Sequence, residues 1–144
     1  METKAQERQG TPVSERTAED WGRIAVGLPG LRWMPGMRDA DGHIVIAVAE
    51  HSGVLLSATH LEGESHWQTP SKMAPPDIDD PATAGCLASM GYDAGWLVSV
   101  TRAQMYSGVV YIARYVGKGG RVQLSMVSPG RAIIAAAEAR GGWL

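Results

Sequence analysis

Four histidines, His43, His51, His60 and His66, fall within 24 residues. Imidazole is the commonest transition-metal ligand, so such clustering raises a metal reading. The spacings of eight, nine and six match no compact ligand motif. His43 and His51 fall at opposite ends of one expected strand. Histidines at strand ends and on polar surface are therefore the simpler reading, and no metal is assigned.

Asp77, Asp79 and Asp80 could offer oxygen ligands to a hard cation. The same residues precede Pro81-Ala82-Thr83, where Asp80 is a natural N-cap and Pro81 fits the first helical position. The cap accounts for them without a metal. Cys86 falls on the apolar face of the helix that follows. It is past the first turn, where the helix dipole would lower its pKa, so it reads as a packing residue.

Gly117-Lys118-Gly119-Gly120-Arg121 contains a Gly-Lys pair. A phosphate loop needs G-x-x-x-x-G-K-[ST] between a strand and a helix, and here a strand follows. The turn of a hairpin explains it better. Arg114, Lys118 and Arg121 would still gather into a small anion-attracting edge. The chain contains no G-x-S-x-G, H-E-x-x-H or G-x-G-x-x-G. Of five tryptophans, Trp67 and Trp143 have the most polar or glycine-rich neighbours. They are the best candidates for a contact surface, with the rim of the core as the competing reading.

The elements that must position these residues follow from periodicity. Thr17 caps a helix carrying Trp21, Ile24, Ala25 and Leu28 at helical spacing, stopped by Pro29-Gly30. His43 to Ala49 reads as a strand apolar on both faces, hence central or covered twice. It turns at Glu50 to Gly53 into a partner, Val54 to His60, and a short third strand is expected near Ser65 to Thr69. Pro70 to Asp80 is a loop. A helix runs from Pro81 to Gly91 with Thr83, Cys86, Leu87 and Met90 on one face. Trp96 to Thr101 is open between strand and helix. Val109 to Val116 and Arg121 to Val127 are strands, the second with Val122, Leu124 and Met126 inward. Ser128-Pro129 opens a last helix with Ile133, Ile134 and Ala137 packing, and Gly141-Gly142 ends it. The fold class expected is α+β: a mainly antiparallel sheet of four to six strands with about three helices packed on it. Residues 1–15 are expected as a disordered tail and 16–144 as one domain.

The chain has 144 residues, 44% hydrophobic and 19% charged, and a net charge of −2. That size supports a core without disulfides or metals, and one cysteine permits no internal disulfide. A reducing, cytoplasmic setting is expected. No apolar run reaches the length of a membrane helix, and the first twenty residues lack a signal peptide's apolar core. Charge is uneven. Residues 39–80 hold eight acids and one lysine, a balance of −7, and residues 81–144 hold six bases and two acids, a balance of +4.

Two segments, Trp33-Met34-Pro35-Gly36-Met37 and Pro76-Asp77-Ile78-Asp79-Asp80-Pro81-Ala82-Thr83-Ala84-Gly85-Cys86-Leu87, resemble a set of small uncharacterised proteins of bacteriophages and prophages. An Asp-Pro-Ala-Thr-x-Gly-Cys-Leu helix start recurs in that set. The sequence departs from it after Met90, where Gly91-Tyr92-Asp93 replaces a longer helix. The resemblance implies a phage or prophage setting in a bacterial host cell, and no activity or site residue.

Three functional expectations remain. The foremost is non-enzymatic binding to a host protein, as an accessory or anti-defence factor such as an anti-CRISPR. The second is a nucleotide or small anionic ligand binder, enzymes included, using Arg114, Lys118 and Arg121 for phosphate and Tyr111, Tyr115 or Trp96 for stacking. The third is a structural or self-assembling phage component, a homo-oligomer. No cofactor is called for. The negative net charge disfavours nucleic acid, and no membrane partner is expected.

Overall fold

The computed structural model describes residues 13–49, 53–57, 65–117 and 120–144. Of the expected tail, residues 1–12 lie outside the described residues, and Val13–Glu15 form a single 3₁₀ turn. Helix α1 spans Ala18–Gly27. Thr17 Oγ1 accepts from the Asp20 amide at 3.1 Å, and the Thr17 amide donates to Asp20 Oδ2 at 2.9 Å. This reciprocal capping box satisfies donors that a helix start otherwise leaves open. Helix α2 spans Pro81–Asp93, and α3 spans Pro129–Arg140. Both start with a proline at the first turn behind a side-chain cap, Asp80 for α2 and Ser128 for α3.

Gly91 does not end α2 as expected; the helix continues to Asp93. A Cβ at Gly91 would stand 2.7 Å from the Leu97 Cβ, so glycine serves here to let the next strand pass close by. The stop falls to Gly95, whose φ of +84° lies in the left-handed region that glycine adopts without strain.

Among the described residues, six strands form two antiparallel sheets of three, in place of the single sheet of four to six expected. The first is β1 (Ile44–Ala49), β2 (Gly53–Ser57) and β3 (Ser65–Gln68), in that order. The second is β4 (Leu97–Met105), β5 (Gly108–Gly117) and β6 (Gly120–Met126). The α+β class holds. What keeps the sheets apart is visible at β1. The Val45 amide donates to the Met37 carbonyl at 2.8 Å, and the Gly36 amide donates to the Val45 carbonyl at 2.9 Å. That contact occupies the free side of β1 at its base and bars another strand there. β1 is thus an edge strand, where its apolar faces implied one central or covered twice. Val45 alone is buried in it, while Ile46 and Val48 are exposed.

The Pro70–Asp80 loop contains a 3₁₀ turn, Pro70–Lys72. Its later part ties to the segment before β1, with the Ala40 amide donating to the Pro75 carbonyl and the Asp77 amide to the Arg38 carbonyl, each at 2.8 Å. The stretch open between strand and helix resolves as strand from Leu97.

Helix α3 lies against all three strands of the second sheet and takes α1 and α2 on its other sides. Ala132 to Ala137 are consequently all buried, whereas periodicity marked only Ile133, Ile134 and Ala137. A helix enclosed all round has no polar stripe to preserve. The close approach depends on Gly130, where an added Cβ would meet the Ile78 carbonyl oxygen at 2.2 Å. None of the described helices is long and apolar enough to cross a membrane.

Candidate functional site

The polar residues that first draw attention are taken up by the fold. Asp80 Oδ2 accepts from the Thr83 amide at 2.9 Å, and the Thr83 hydroxyl donates to the same oxygen at 3.0 Å while accepting from the Arg38 amide at 2.9 Å. Asp79 faces Arg131, whose Nη2 and Nε donate to its two oxygens at 2.9 and 3.2 Å. Burial pushes the Asp79 carboxyl up, but hydrogen bonds from Arg131 and Ser128, with the Arg131 charge, outweigh it and hold the group below its ordinary value.

Asp39 is buried and closes the turn before β1. Its Oδ1 accepts from the amides of Asp41 at 3.0 Å and His43 at 2.8 Å, and Oδ2 lies 3.2 Å from His43 Nδ1. Ligand atoms of Asp39, Asp41 and His43 come within 4.8 Å of one another. Both Asp39 oxygens already serve the turn, so the cluster is explained by the backbone it holds. His51 and His60 lie outside the described residues.

Cys86 is partly buried, with Sγ 3.7 Å from the Pro35 carbonyl oxygen. Burial and the nearby Asp80 charge both push its thiol up, the reverse of what a nucleophile needs.

The two tryptophans separate. Trp67 on β3 is 56% exposed, and Trp143 is 1% exposed. The expectation of a contact surface at Trp143 does not hold. Its indole N–H donates to the Ala25 carbonyl at 3.1 Å, and its amide donates to the Pro29 carbonyl at 2.8 Å. The glycines around it provide the close approach rather than exposure: a Cβ on Gly142 would meet the Pro29 oxygen at 2.9 Å. Beside it, Leu31, Met90, Ala94 and Leu144 line a groove of 330 Å³ with Arg32 and Asp93 at its edge. One cation and one carboxylate there make no acid–base or nucleophile–base set.

The arginines on the second sheet remain. In the ladder, Leu97 pairs with Tyr115 and Tyr115 with Val122; Val100 pairs with Ala113 and Ala113 with Leu124. These rows face α3. The alternate rows face away: Thr101 pairs with Ile112, Ser99 with Arg114 and Val116 with Arg121. Arg114 and Arg121 thus stand diagonally on one outer face, a spacing of about 7–8 Å. Both are exposed, and Arg114 Nη1 donates to Thr101 Oγ1 at 3.4 Å. Val98 and Val116 on the same side are 43% and 44% exposed. Lys118 lies outside the described residues.

No family model, no curated protein and no solved structure matches this chain.

Two features of this sheet are open to sequence reasoning. Between Asp93 and Glu138 the chain has no acidic residue, so the strands β4–β6 carry Arg102, Arg114 and Arg121 and no acidic residue of their own. Strand alternation also sets Tyr111 and Tyr115 on the opposite face from Arg114. Tyr115 and Trp96 are buried. The residues named for stacking therefore do not converge with the arginines named for phosphate.

Proposed function

We propose that this chain acts by non-enzymatic binding to another protein, and that the outer face of β4–β6 makes the contact. One observation carries the reading: the described helices pack on the other side of this sheet, and this face mixes the exposed aliphatic side chains Val98 and Val116 with Arg114 and Arg121. Exposed apolar area rimmed by arginine is typical of a recognition surface. The resemblance to phage and prophage proteins supports a host protein as the partner and an accessory or anti-defence role. The nucleotide reading has less support, since Arg114 and Arg121 stand on the opposite face from Tyr111 and Tyr115.

A photo-crosslinking amino acid at Thr101, compared with one at exposed Glu19 on α1, tests this in bacterial cells. The expected result is a discrete covalent adduct with a host protein from Thr101 only. No adduct at Thr101, or the same adducts from both sites, contradicts it.

A second reading rests on Ile46, Val48 and Trp67, all exposed on the first sheet. Edge strands with apolar side chains invite pairing with another copy. Light scattering on the eluting protein separates the two: a strict monomer at high concentration removes self-association.

A further inference from the structure

We infer that the groove beside Trp143 binds a small zwitterion, an α-amino acid with an apolar side chain. This goes beyond the protein-binding reading and does not depend on it. Three segments meet at the groove: Arg32 lies in the stretch after α1, Asp93 ends α2, and Trp143 follows α3. Its walls are held in place by the fold itself. The Trp143 ring is fixed by its bond to Ala25 and its contact with Trp96. Arg140 Nη1 donates to the Leu144 carbonyl at 3.0 Å. Leu144 packs on Gly30, where an added Cβ would come within 2.7 Å of the Leu144 Cγ. A preformed apolar pocket with a few polar groups is the usual form of a small-molecule site, and 330 Å³ lies at the small end of that class.

Charge complementarity selects the ligand. Arg32 and Asp93 both line the groove and both are exposed, yet they form no ion pair with each other. Asp93 is the last residue of α2, where the helix dipole adds negative character. An ammonium group belongs at that end. A carboxylate belongs at Arg32, whose guanidinium offers it paired N–H groups. Leu31, Met90, Trp143 and Leu144 then take up the apolar side chain. Ligands of a single charge fit less well. A plain carboxylate such as a fatty acid would cover Asp93 without pairing it, and a plain amine would do the same to Arg32. Covering a charge without pairing it is costly. A phosphate ester would bring its negative charge towards Asp93 and the negative end of α2.

The test is an NMR titration of the full chain with L-leucine and L-phenylalanine. The N-acetyl form of each, which keeps only the carboxylate, and the amide form, which keeps only the ammonium, serve as comparisons. The expected result is that a free amino acid at millimolar concentration shifts the Trp143 indole N–H and the amides of Arg32 and Ala94, and that both blocked forms bind more weakly. Arg32→Gln and Asp93→Asn, both at exposed positions, should keep the dispersed spectrum of the parent and each weaken binding of the free amino acid about tenfold. Arg32→Gln should leave the amide form unaffected, and Asp93→Asn the N-acetyl form. If a blocked form binds as tightly as the free amino acid, the groove does not read both charges and the inference is overturned. If none of the compounds shifts these signals, or the shifts fall elsewhere in the chain, it is likewise overturned.

Discussion

The indole N–H of Trp96 donates to the carbonyl oxygen of Trp143 over 2.7 Å, with the two rings tilted at 55° and 6.1 Å apart. Trp96 directly precedes β4 and Trp143 follows α3, so this bond joins the entry to the second sheet to the segment after α3. Trp143 in turn reaches Ala25 and Pro29 at the end of α1. Arg140 lies over the Trp96 ring at 5.0 Å and donates to the Gly142 carbonyl at 2.7 Å. Removing the Trp143 side chain should cost about 3–5 kcal/mol, a drop of about 10 °C in Tm. Denaturant titration of Trp143→Ala measures it, and Trp67→Ala, exposed on β3, should change stability far less.

Two helical glycines should respond with opposite signs. Gly130→Ala drives a methyl into the Ile78 carbonyl, 2.2 Å from the ideal Cβ position, so backbone must move. The expected loss is about 1–3 kcal/mol. Gly85, also helical, has nothing within 4 Å of its added Cβ. Gly85→Ala should stabilise by about 0.5–1 kcal/mol through helix propensity alone. Chemical denaturation of the pair reads both.

Asp79 makes part of the stability depend on pH. Its carboxyl is held below the ordinary value in the folded chain, so its contribution is present above the unfolded value and fades as pH falls through the folded one. The side chain is 42% exposed, which limits the contribution to about 0.2–1 kcal/mol. Asp79→Asn should therefore be the less stable protein at pH 7, and the gap should close below about pH 4. Urea midpoints across pH 3–7 show it.

Cys86 should be a slow thiol. Burial and the Asp80 charge raise its pKa, and only thiolate reacts. Alkylation by iodoacetamide at pH 8 should run well behind that of free cysteine and reach the free rate in denaturant. Equal rates in both states would show that the thiol is not shielded.

Much of this architecture was legible in the chain, for local reasons. Thr17, Asp80 and Ser128 announce helix starts because capping is decided within four residues. Alternation in β5 and β6 gives the strands and, read fully, the separation of Tyr115 from Arg114. What escaped depends on distant partners. β1 reads as a strand central or covered twice, yet the Met34–Met37 turn occupies its edge, a contact no periodicity encodes. Gly91 reads as a helix stop because glycine's two uses, termination and close packing, look alike until Leu97 is placed beside it. Trp143 reads as exposed among glycines for the same reason. Of the candidate site, Arg114 and Arg121 were found by type; their shared outward face required the register of β5 with β6.

The central claim is that the outer face of β4–β6 is where this chain meets its partner. Quantitative crosslinking from Thr101 in Arg114→Glu/Arg121→Glu, beside the unaltered chain, tests it most directly. The double variant is predicted to retain its circular dichroism and Tm and to lose the host-protein adduct. An undiminished adduct from the charge-reversed face would contradict the claim.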